Sequence, residues 1–369
     1  MMNQISDECI LSVSDLKINF TLRGANLGVI REVSIDVMKG ESLAIVGESG
    51  SGKSVFCKAI MGLLDANARI EQGEILYKGA EQVMDLAKFK TEKEWYAIRG
   101  KEIAMVMQDP MTSLNPLKTI GEQIGEAVTL HQGLKGSAAR EAVIGYLRDV
   151  GIPNPERRHK EYPHQFSGGM RQRVVIAIAM ACKPKILICD EPTTAIDVTL
   201  QAQILALLKD LQRKYNLTTI YITHDLGVVA RIADRVVVMY AGDFVEIGGV
   251  EEIFHNPQHP YTIALLKSLP QLSKKGCEIE TIPGSPPSLT VQIAGDAFAA
   301  RNPHAMKIDY LQRPPYFQVS ETHKARTWLL DDRAKAFRAG NSSGNSAAEP
   351  EAESSITKIL HGKAADANE

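Results

Sequence analysis

The chain has 369 residues, 44% hydrophobic and 23% charged, which predicts a globular protein of one large or two modest domains. Its net charge of −2 and isoelectric point near 6.5 show no excess of basic residues, which disfavours nucleic-acid binding. Residues 1–10 contain no basic-then-apolar signal, and the longest apolar run, Val174 to Cys182, is too short to cross a bilayer. We therefore expect neither a signal segment nor a membrane-spanning helix.

Five cysteines are scattered along the chain without a paired CxxC spacing, and they are Cys9, Cys57, Cys182, Cys189 and Cys277. Those at positions 57, 182 and 189 lie in apolar runs. This pattern predicts reduced core residues in a cytosolic protein.

The first predicted elements are short strands. Ile10 to Val13 and Leu16 to Phe20 are strand-like runs, and Val29 to Val37 alternates apolar and polar residues as a half-buried strand does. These segments predict a small antiparallel β element at the start of the chain. Phe20 is either a core aromatic of this element or a platform for a nucleotide base.

A glycine-rich loop follows the apolar run Leu43 to Val46 and precedes a helical segment. The loop reads Gly47-Glu48-Ser49-Gly50-Ser51-Gly52-Lys53-Ser54. It matches the P-loop pattern, in which backbone N–H groups and the start of a helix surround phosphate oxygens. We expect Lys53 to reach the β- and γ-phosphates and Ser54 to bind Mg²⁺.

The next segments predict two strands and then a helical insertion. Gly73 to Tyr77 and Ile103 to Met107 are strand-like, and a helical pattern occupies about residues 111–183. Within the insertion, Ser167-Gly168-Gly169 leads into an apolar helix that has no polar face and is therefore expected to be buried. The start of this helix is a second potential anion site, although Ser-Gly-Gly alone indicates only a helix cap.

Two further strands end in residues suited to phosphate chemistry. The apolar strand Ile186 to Cys189 leads into Asp190 and Glu191, which point in opposite directions along a pleated strand. This Walker B pattern predicts that Asp190 holds Mg²⁺ and that Glu191 is the general base. The strand Thr218 to Thr223 delivers His224, a candidate sensor of the γ-phosphate.

Taken in this order, the motifs resemble those of an ATP-binding-cassette (ABC) ATPase. The resemblance rests on the P-loop, Gln108, Ser167-Gly168-Gly169, Asp190-Glu191, Ile196-Asp197 and His224. It implies an α/β fold of the P-loop NTPase class, with a mixed central sheet, an antiparallel β subdomain, a helical subdomain and a C-terminal extension. Phe166 and Met170 depart from the commonest signature loop, where leucine and glutamine are usual.

The resemblance also implies roles for individual residues. Phe20 takes the position of the aromatic residue that stacks on adenine, and His224 that of the switch histidine. Gln108 would link the γ-phosphate to the membrane partner and join Ser54 and Asp190 as a ligand of Mg²⁺. Glu191, His224 and Gln108 form the implied catalytic set, and Asp197 is placed with the signature residues among those that bind nucleotide.

The segment after residue 255 resembles the C-terminal region of oligopeptide and dipeptide permease ATPases. The similarity is carried by Asn256 to Thr262, Ser268 to Pro270 and Ile282 to Pro287. Many members carry four cysteines there that bind an iron–sulfur cluster. In this chain the four positions are occupied by Asp296, Asn302, Asp309 and Thr327. We therefore expect no cluster, as in the OppD/AmiE-type subunits of Gram-positive oligopeptide permeases.

In place of a cluster, ordinary packing is expected to hold residues 281–330, and the available aromatic anchors are Phe298, Tyr310, Tyr316, Phe317 and Trp328. The chain from about Gly340 is polar and contains too few apolar residues to order itself. We therefore predict three parts: an ABC ATPase domain over residues 8–255, a permease-type C-terminal region over 256–335 and a disordered tail over 336–369.

The resemblance implies an ATPase subunit of an oligopeptide importer, lying on the cytoplasmic face of the membrane. Its implied partners are a homologous OppF-like ATPase, two permease subunits and, indirectly, an external peptide-binding lipoprotein. The alternatives are another solute, such as nickel or a dipeptide, or a non-transport ABC ATPase of DNA repair or translation. The latter usually has long coiled coils or two cassettes in one chain, and neither is present here. A GTPase is disfavoured because no Asn-Lys-x-Asp motif occurs.

Overall fold

The computed structural model describes residues 5–22, 24–107, 113–193, 197–269, 281–288 and 290–334, which form two β-sheets, eleven α-helices and short 3₁₀ turns. The strands are β1 (Cys9–Leu22), β2 (Ala25–Met38), β3 (Ser42–Val46), β4 (Ala68–Lys78), β5 (Val83–Asp85), β6 (Ile103–Val106), β7 (Ile186–Asp190), β8 (Thr218–Thr223), β9 (Arg235–Tyr240), β10 (Asp243–Gly249), β11 (Phe317–Gln318) and β12 (Lys324–Ala325). The helices are α1 (Lys53–Ile60), α2 (Glu92–Tyr96), α3 (Ile120–Gln132), α4 (Gly136–Asp149), α5 (Pro155–Arg158), α6 (Gly168–Ala181), α7 (Val198–Tyr215), α8 (Leu226–Ile232), α9 (Val250–His255), α10 (Pro260–Lys267) and α11 (Lys307–Leu311).

The smaller sheet is antiparallel, with the strand order β2-β1-β4-β5. The sequence predicts two short strands before residue 21, whereas the structure has the single strand β1. The pairing register shifts between Val13 and Leu16, and Asp15 there adopts a left-handed conformation with φ of 50°. A bulge therefore interrupts the hydrophobic alternation without ending the strand.

The larger sheet has the order β11-β12-β10-β9-β3-β8-β7-β6. Within it, β3 pairs in parallel with β8 and β9, β7 with β8, and β6 with β7. All residues of β3, β7 and β8 are buried. Strands covered on both faces read as near-continuous apolar runs, which explains the sequence pattern of β3 and β7, while β8 combines apolar residues with β-branched threonines. The carboxyl ends of β3, β8 and β7 meet at one edge of the sheet and carry the main motifs.

Helices α3, α4 and α6 form the helical region that the sequence predicts. Helix α3 begins at a capping box in which Thr119 and Glu122 exchange side-chain and backbone hydrogen bonds. Helix α6 has buried residues around its circumference, including Val174 and Ile176, and it packs against α3, α4 and the sheet. The absence of a polar face thus correctly predicts its burial.

The C-terminal segment is joined to the larger sheet. Strand β12 pairs with β10 through Glu246 and Ala325, and β11 pairs with β12. Phe298 and Trp328 are buried as expected, but Tyr310 is 55% exposed, because it lies on the outer side of the short helix α11. Its hydroxyl donates to Ala299 O. Among the described residues, no helix is both long and apolar enough to span a membrane.

Candidate functional site

The glycine loop joins β3 to α1 and surrounds the ammonium group of Lys53. Lys53 is 6% exposed, and its Nζ donates to Gly47 O at 2.8 Å and to Glu48 O at 2.9 Å. Burial lowers the pKa of Lys53, whereas Glu191 and Asp190 oppose that shift. The loop therefore holds a positive charge at the start of a helix, where anions are favoured.

The loop also depends on glycine at its first position. A Cβ atom on Gly47 would lie 2.0 Å from the backbone oxygen of Met239 in β9. Backbone cannot yield at that distance, so only glycine allows the loop to pass so close to the neighbouring strand.

Ser54 and Asp190, the predicted Mg²⁺ ligands, are brought together by α1 and β7. Ser54 Oγ donates to Asp190 Oδ1 at 3.2 Å. Asp190 is 8% exposed, and burial raises its pKa although the hydrogen bond from Ser54 opposes the shift. A hydroxyl and a carboxylate are oxygen ligands of the kind that Mg²⁺ prefers, with water and phosphate supplying the rest. The third predicted ligand, Gln108, lies outside the described residues.

Glu191 and His224 are also adjacent. His224 Nδ1 lies 3.1 Å from Glu191 Oε1, and the Glu191 side chain is 19% exposed. The backbone of Glu191 adopts a left-handed conformation, with φ of 47°, and its N–H donates to Ile222 O at 2.9 Å. Such a conformation is costly for a residue other than glycine and is common at functional sites. The turn separates the two carboxylates, so that Asp190 contacts Ser54 while Glu191 contacts His224.

The Ser-Gly-Gly loop forms the start of α6. Ser167 Oγ accepts a hydrogen bond from Met170 N–H at 3.4 Å, and Ser167 and Gly168 are exposed. Gly169 is buried, and a Cβ there would lie 2.2 Å from Leu200 Cδ2. Further along α6, Gln172 Nε2 donates to Pro192 O at 2.9 Å, which connects this helix to the turn after β7.

Phe20 and Asp197, both predicted to bind nucleotide, lie within a strand and at the start of a helix, respectively. Phe20 is half-buried in β1, between Leu27 and Ala68 on the flanking strands, and packs against the core of the smaller sheet. Asp197 is exposed and caps α7 by accepting from Leu200 N–H at 2.9 Å. Their roles in nucleotide binding stay predictions.

Two residues that the motif analysis leaves without a role also contact the glycine loop. The Tyr261 hydroxyl accepts a hydrogen bond from Glu48 N–H at 2.8 Å, and Arg301 Nη1 donates to Glu48 Oε2 at 2.9 Å. These partners are 213 and 253 residues from Glu48 in the chain. Tyr261 lies in the segment Asn256 to Thr262 that carries the permease resemblance, and Arg301 precedes Asn302, one of the four positions that the resemblance aligns with cysteine. The resemblance was the only sequence signal for either residue.

Comparison with known proteins identifies the family of this chain. Residues 30–194 match the family model described as ABC transporter, and residues 245–308 match the oligopeptide/dipeptide transporter C-terminal region. The oligopeptide transport ATP-binding protein AmiE of Streptococcus pneumoniae is 57% identical over 325 residues, which are 88% of this chain and 90% of AmiE. The chain belongs to the ABC transporter ATP-binding family.

Two further relatives are also ATP-binding proteins of peptide transport. The oligopeptide transport protein OppD of Bacillus subtilis is 54% identical over 87% of this chain and 89% of its own length. The dipeptide transport protein DppD of Lactococcus lactis is 53% identical over 89% of this chain and 93% of its own length.

A solved ABC structure confirms the predicted fold. The dimeric post-hydrolysis state of the ATP-binding cassette MJ0796, bound to ADP and Pi, aligns with a TM-score of 0.57 at 26% identity. The alignment covers 65% of this chain and 99% of that cassette.

Proposed function

We propose that this ABC ATPase subunit hydrolyses ATP to drive the import of oligopeptides across the cytoplasmic membrane, on whose cytoplasmic face it lies. The observation that carries the proposal is the meeting of Lys53, the Ser54–Asp190 pair and the Glu191–His224 pair at one edge of the larger sheet. The similarity of the C-terminal region to peptide transporters supports the choice of substrate. ATP-driven uptake of a labelled oligopeptide by the assembled transporter tests the proposal.

The loop residues would bind the triphosphate of ATP through their backbone N–H groups. On binding, Lys53 Nζ would exchange one of its carbonyl acceptors for a phosphate oxygen. Ser54, Asp190 and Gln108 would hold Mg²⁺, which neutralises charge on the phosphate oxygens when bound. Phe20 would stack on adenine.

Glu191 would accept a proton from the attacking water. His224, adjacent to its carboxylate, would hold Glu191 in position and contact the γ-phosphate. The left-handed turn at Glu191 supports this role, since it separates the base from the metal ligand Asp190.

The exposed Ser167-Gly168 start of α6 supports a second subunit as partner. We infer that it completes the nucleotide site of a homologous OppF-like cassette, and that the partner's signature loop, together with Asp197, completes the site at Lys53. Two permease subunits would form the path for the peptide, and an external lipoprotein would deliver it. Dipeptides are a second candidate substrate, because DppD is similar over nearly the whole of its length.

We expect the purified protein to contain no bound iron. The four positions where many relatives have cysteine are Asp296, Asn302, Asp309 and Thr327, and all four are buried. Among the described residues, no group of three or more His, Cys, Asp or Glu side chains is placed to hold a metal ion. Without thiolates, an iron–sulfur cluster has no suitable ligands. Elemental analysis and the visible absorption spectrum check this, and stoichiometric iron would contradict the proposed alignment of this region.

A further inference from the structure

The glycine loop carries a negative side chain of its own. Glu48 lies next to Gly47, among the backbone groups proposed to bind phosphate. A carboxylate in this position repels ATP unless a positive group neutralises it, because like charges interact strongly where protein replaces water. A counter-charge for Glu48 therefore favours the binding of ATP.

Arg301 supplies this counter-charge from the C-terminal segment. Its guanidinium forms an ion pair with Glu48 at 2.9 Å, and the two side chains are 7% and 23% exposed. Arg301 also donates from Nε to Pro283 O at 2.7 Å and from Nη1 to Tyr240 Oη at 3.0 Å. These uncharged acceptors fix the planar guanidinium, so that it remains directed at Glu48.

Tyr261 holds the backbone of the same residue. Its hydroxyl accepts the Glu48 N–H hydrogen bond at 2.8 Å, and its ring is completely buried. The ring centroid lies 4.5 Å from that of Tyr240 and 5.4 Å from that of Phe298. Close aromatic packing of this kind fixes the position of the hydroxyl. Glu48 is thus held at its backbone by Tyr261 and at its side chain by Arg301.

We propose that Arg301 and Tyr261 are positioning residues of the nucleotide site, which neutralise Glu48 and fix the glycine loop so that the C-terminal segment sets the affinity for ATP. The inference rests on the proposed binding of ATP at Lys53. Neither residue is assigned contact with the reacting atoms, and both act through the loop. We call Arg301, Tyr261 and Glu48 the loop clamp.

The first test replaces Arg301 by methionine in the full-length protein. The Arg301→Met variant leaves Glu48 unpaired, and we expect the Kd of a fluorescent ATP analogue to rise about tenfold. In the assembled transporter, KM for ATP is expected to rise similarly while kcat stays within about twofold, because Glu191 and His224 are untouched. Adding Glu48→Gln to this variant removes the unpaired charge and is expected to restore most of the lost affinity.

A matched control is provided by Arg313, which also joins the C-terminal segment to the ATPase domain. Its guanidinium pairs with Asp243 at 2.7 Å, and none of its described hydrogen bonds reaches the glycine loop. Arg313→Met is therefore expected to lower the melting temperature while the Kd stays within about twofold of wild type. A folded Arg301→Met variant with wild-type Kd, or one that Glu48→Gln does not rescue, would overturn the inference.

Tyr261→Phe provides an independent test that keeps the ring packing. It removes the acceptor of Glu48 N–H, and the loss of one hydrogen bond is expected to raise Kd about fivefold. An unchanged Kd in this folded variant would equally contradict the inference that the loop clamp sets the affinity for ATP. Wild-type protein that fails to bind the analogue would instead contradict the proposed function, so the two failures are distinguishable.

Discussion

Replacing Glu191 by glutamine is expected to reduce ATP hydrolysis by the assembled transporter by about 10²-fold or more, while ATP binding is retained. Glutamine keeps the size of the side chain and its contact with His224 but cannot accept a proton from water. The glycine loop and Lys53 are unchanged, so the phosphates remain bound. Phosphate release measures the turnover rate, and equilibrium binding of a fluorescent ATP analogue measures the affinity.

Two further variants test whether the loss of hydrolysis is specific to the removal of the Glu191 carboxylate. Lys53→Ala is expected to weaken ATP binding itself, since it removes the buried ammonium group of the loop. Glu126→Gln, at an exposed carboxylate paired with Lys118, is expected to leave both quantities unchanged. Near-normal turnover of the Glu191→Gln complex would show that another group is the general base.

The second large effect is stimulation by the partner subunits. We expect the isolated chain to hydrolyse ATP slowly and the second cassette with the permease pair to accelerate hydrolysis about 10²–10³-fold. The physical reason is that the partner's signature loop supplies preorganised hydrogen-bond donors to the γ-phosphoryl group. Initial rates measured with and without the partners, at a protein concentration where the isolated chain is monomeric, check this. Full-rate hydrolysis by the monomer would contradict the shared site.

The Ser167→Arg variant distinguishes the two nucleotide sites of the proposed pair of cassettes. An arginine side chain at the exposed start of α6 would obstruct the site that contains the partner's glycine loop. ATP binding at Lys53 in the same variant is expected to persist.

Most of the fold could be predicted because its signals are local. Leu43 to Val46 and Ile186 to Cys189 are unbroken apolar runs that end in polar motifs, and both proved to be buried parallel strands. The sequence places Glu191 and His224 each at the end of a predicted strand, but their contact depends on the adjacent, parallel pairing of β7 with β8, which only the structure shows.

The features that the sequence analysis missed depend on contacts between distant segments. Neither Arg301 nor Tyr261 has a local pattern that indicates its contact with Glu48, since that contact arises only when the C-terminal segment folds against the loop. The continuity of β1 was missed because the bulge at Asp15 breaks the two-residue alternation. Tyr310 was expected to be an anchor from its residue type alone, yet most of it is exposed.

The central claim is that ATP hydrolysis at Lys53 and Glu191 drives the import of peptides. The most direct measurement is uptake of a labelled oligopeptide into cells or vesicles that contain the complete transporter, with wild-type or Glu191→Gln subunit. We predict ATP-dependent accumulation with the wild-type subunit and its loss with Glu191→Gln at equal assembly. Accumulation that persists at the wild-type rate with Glu191→Gln, or a wild-type transporter that hydrolyses ATP without moving any peptide, would contradict the account.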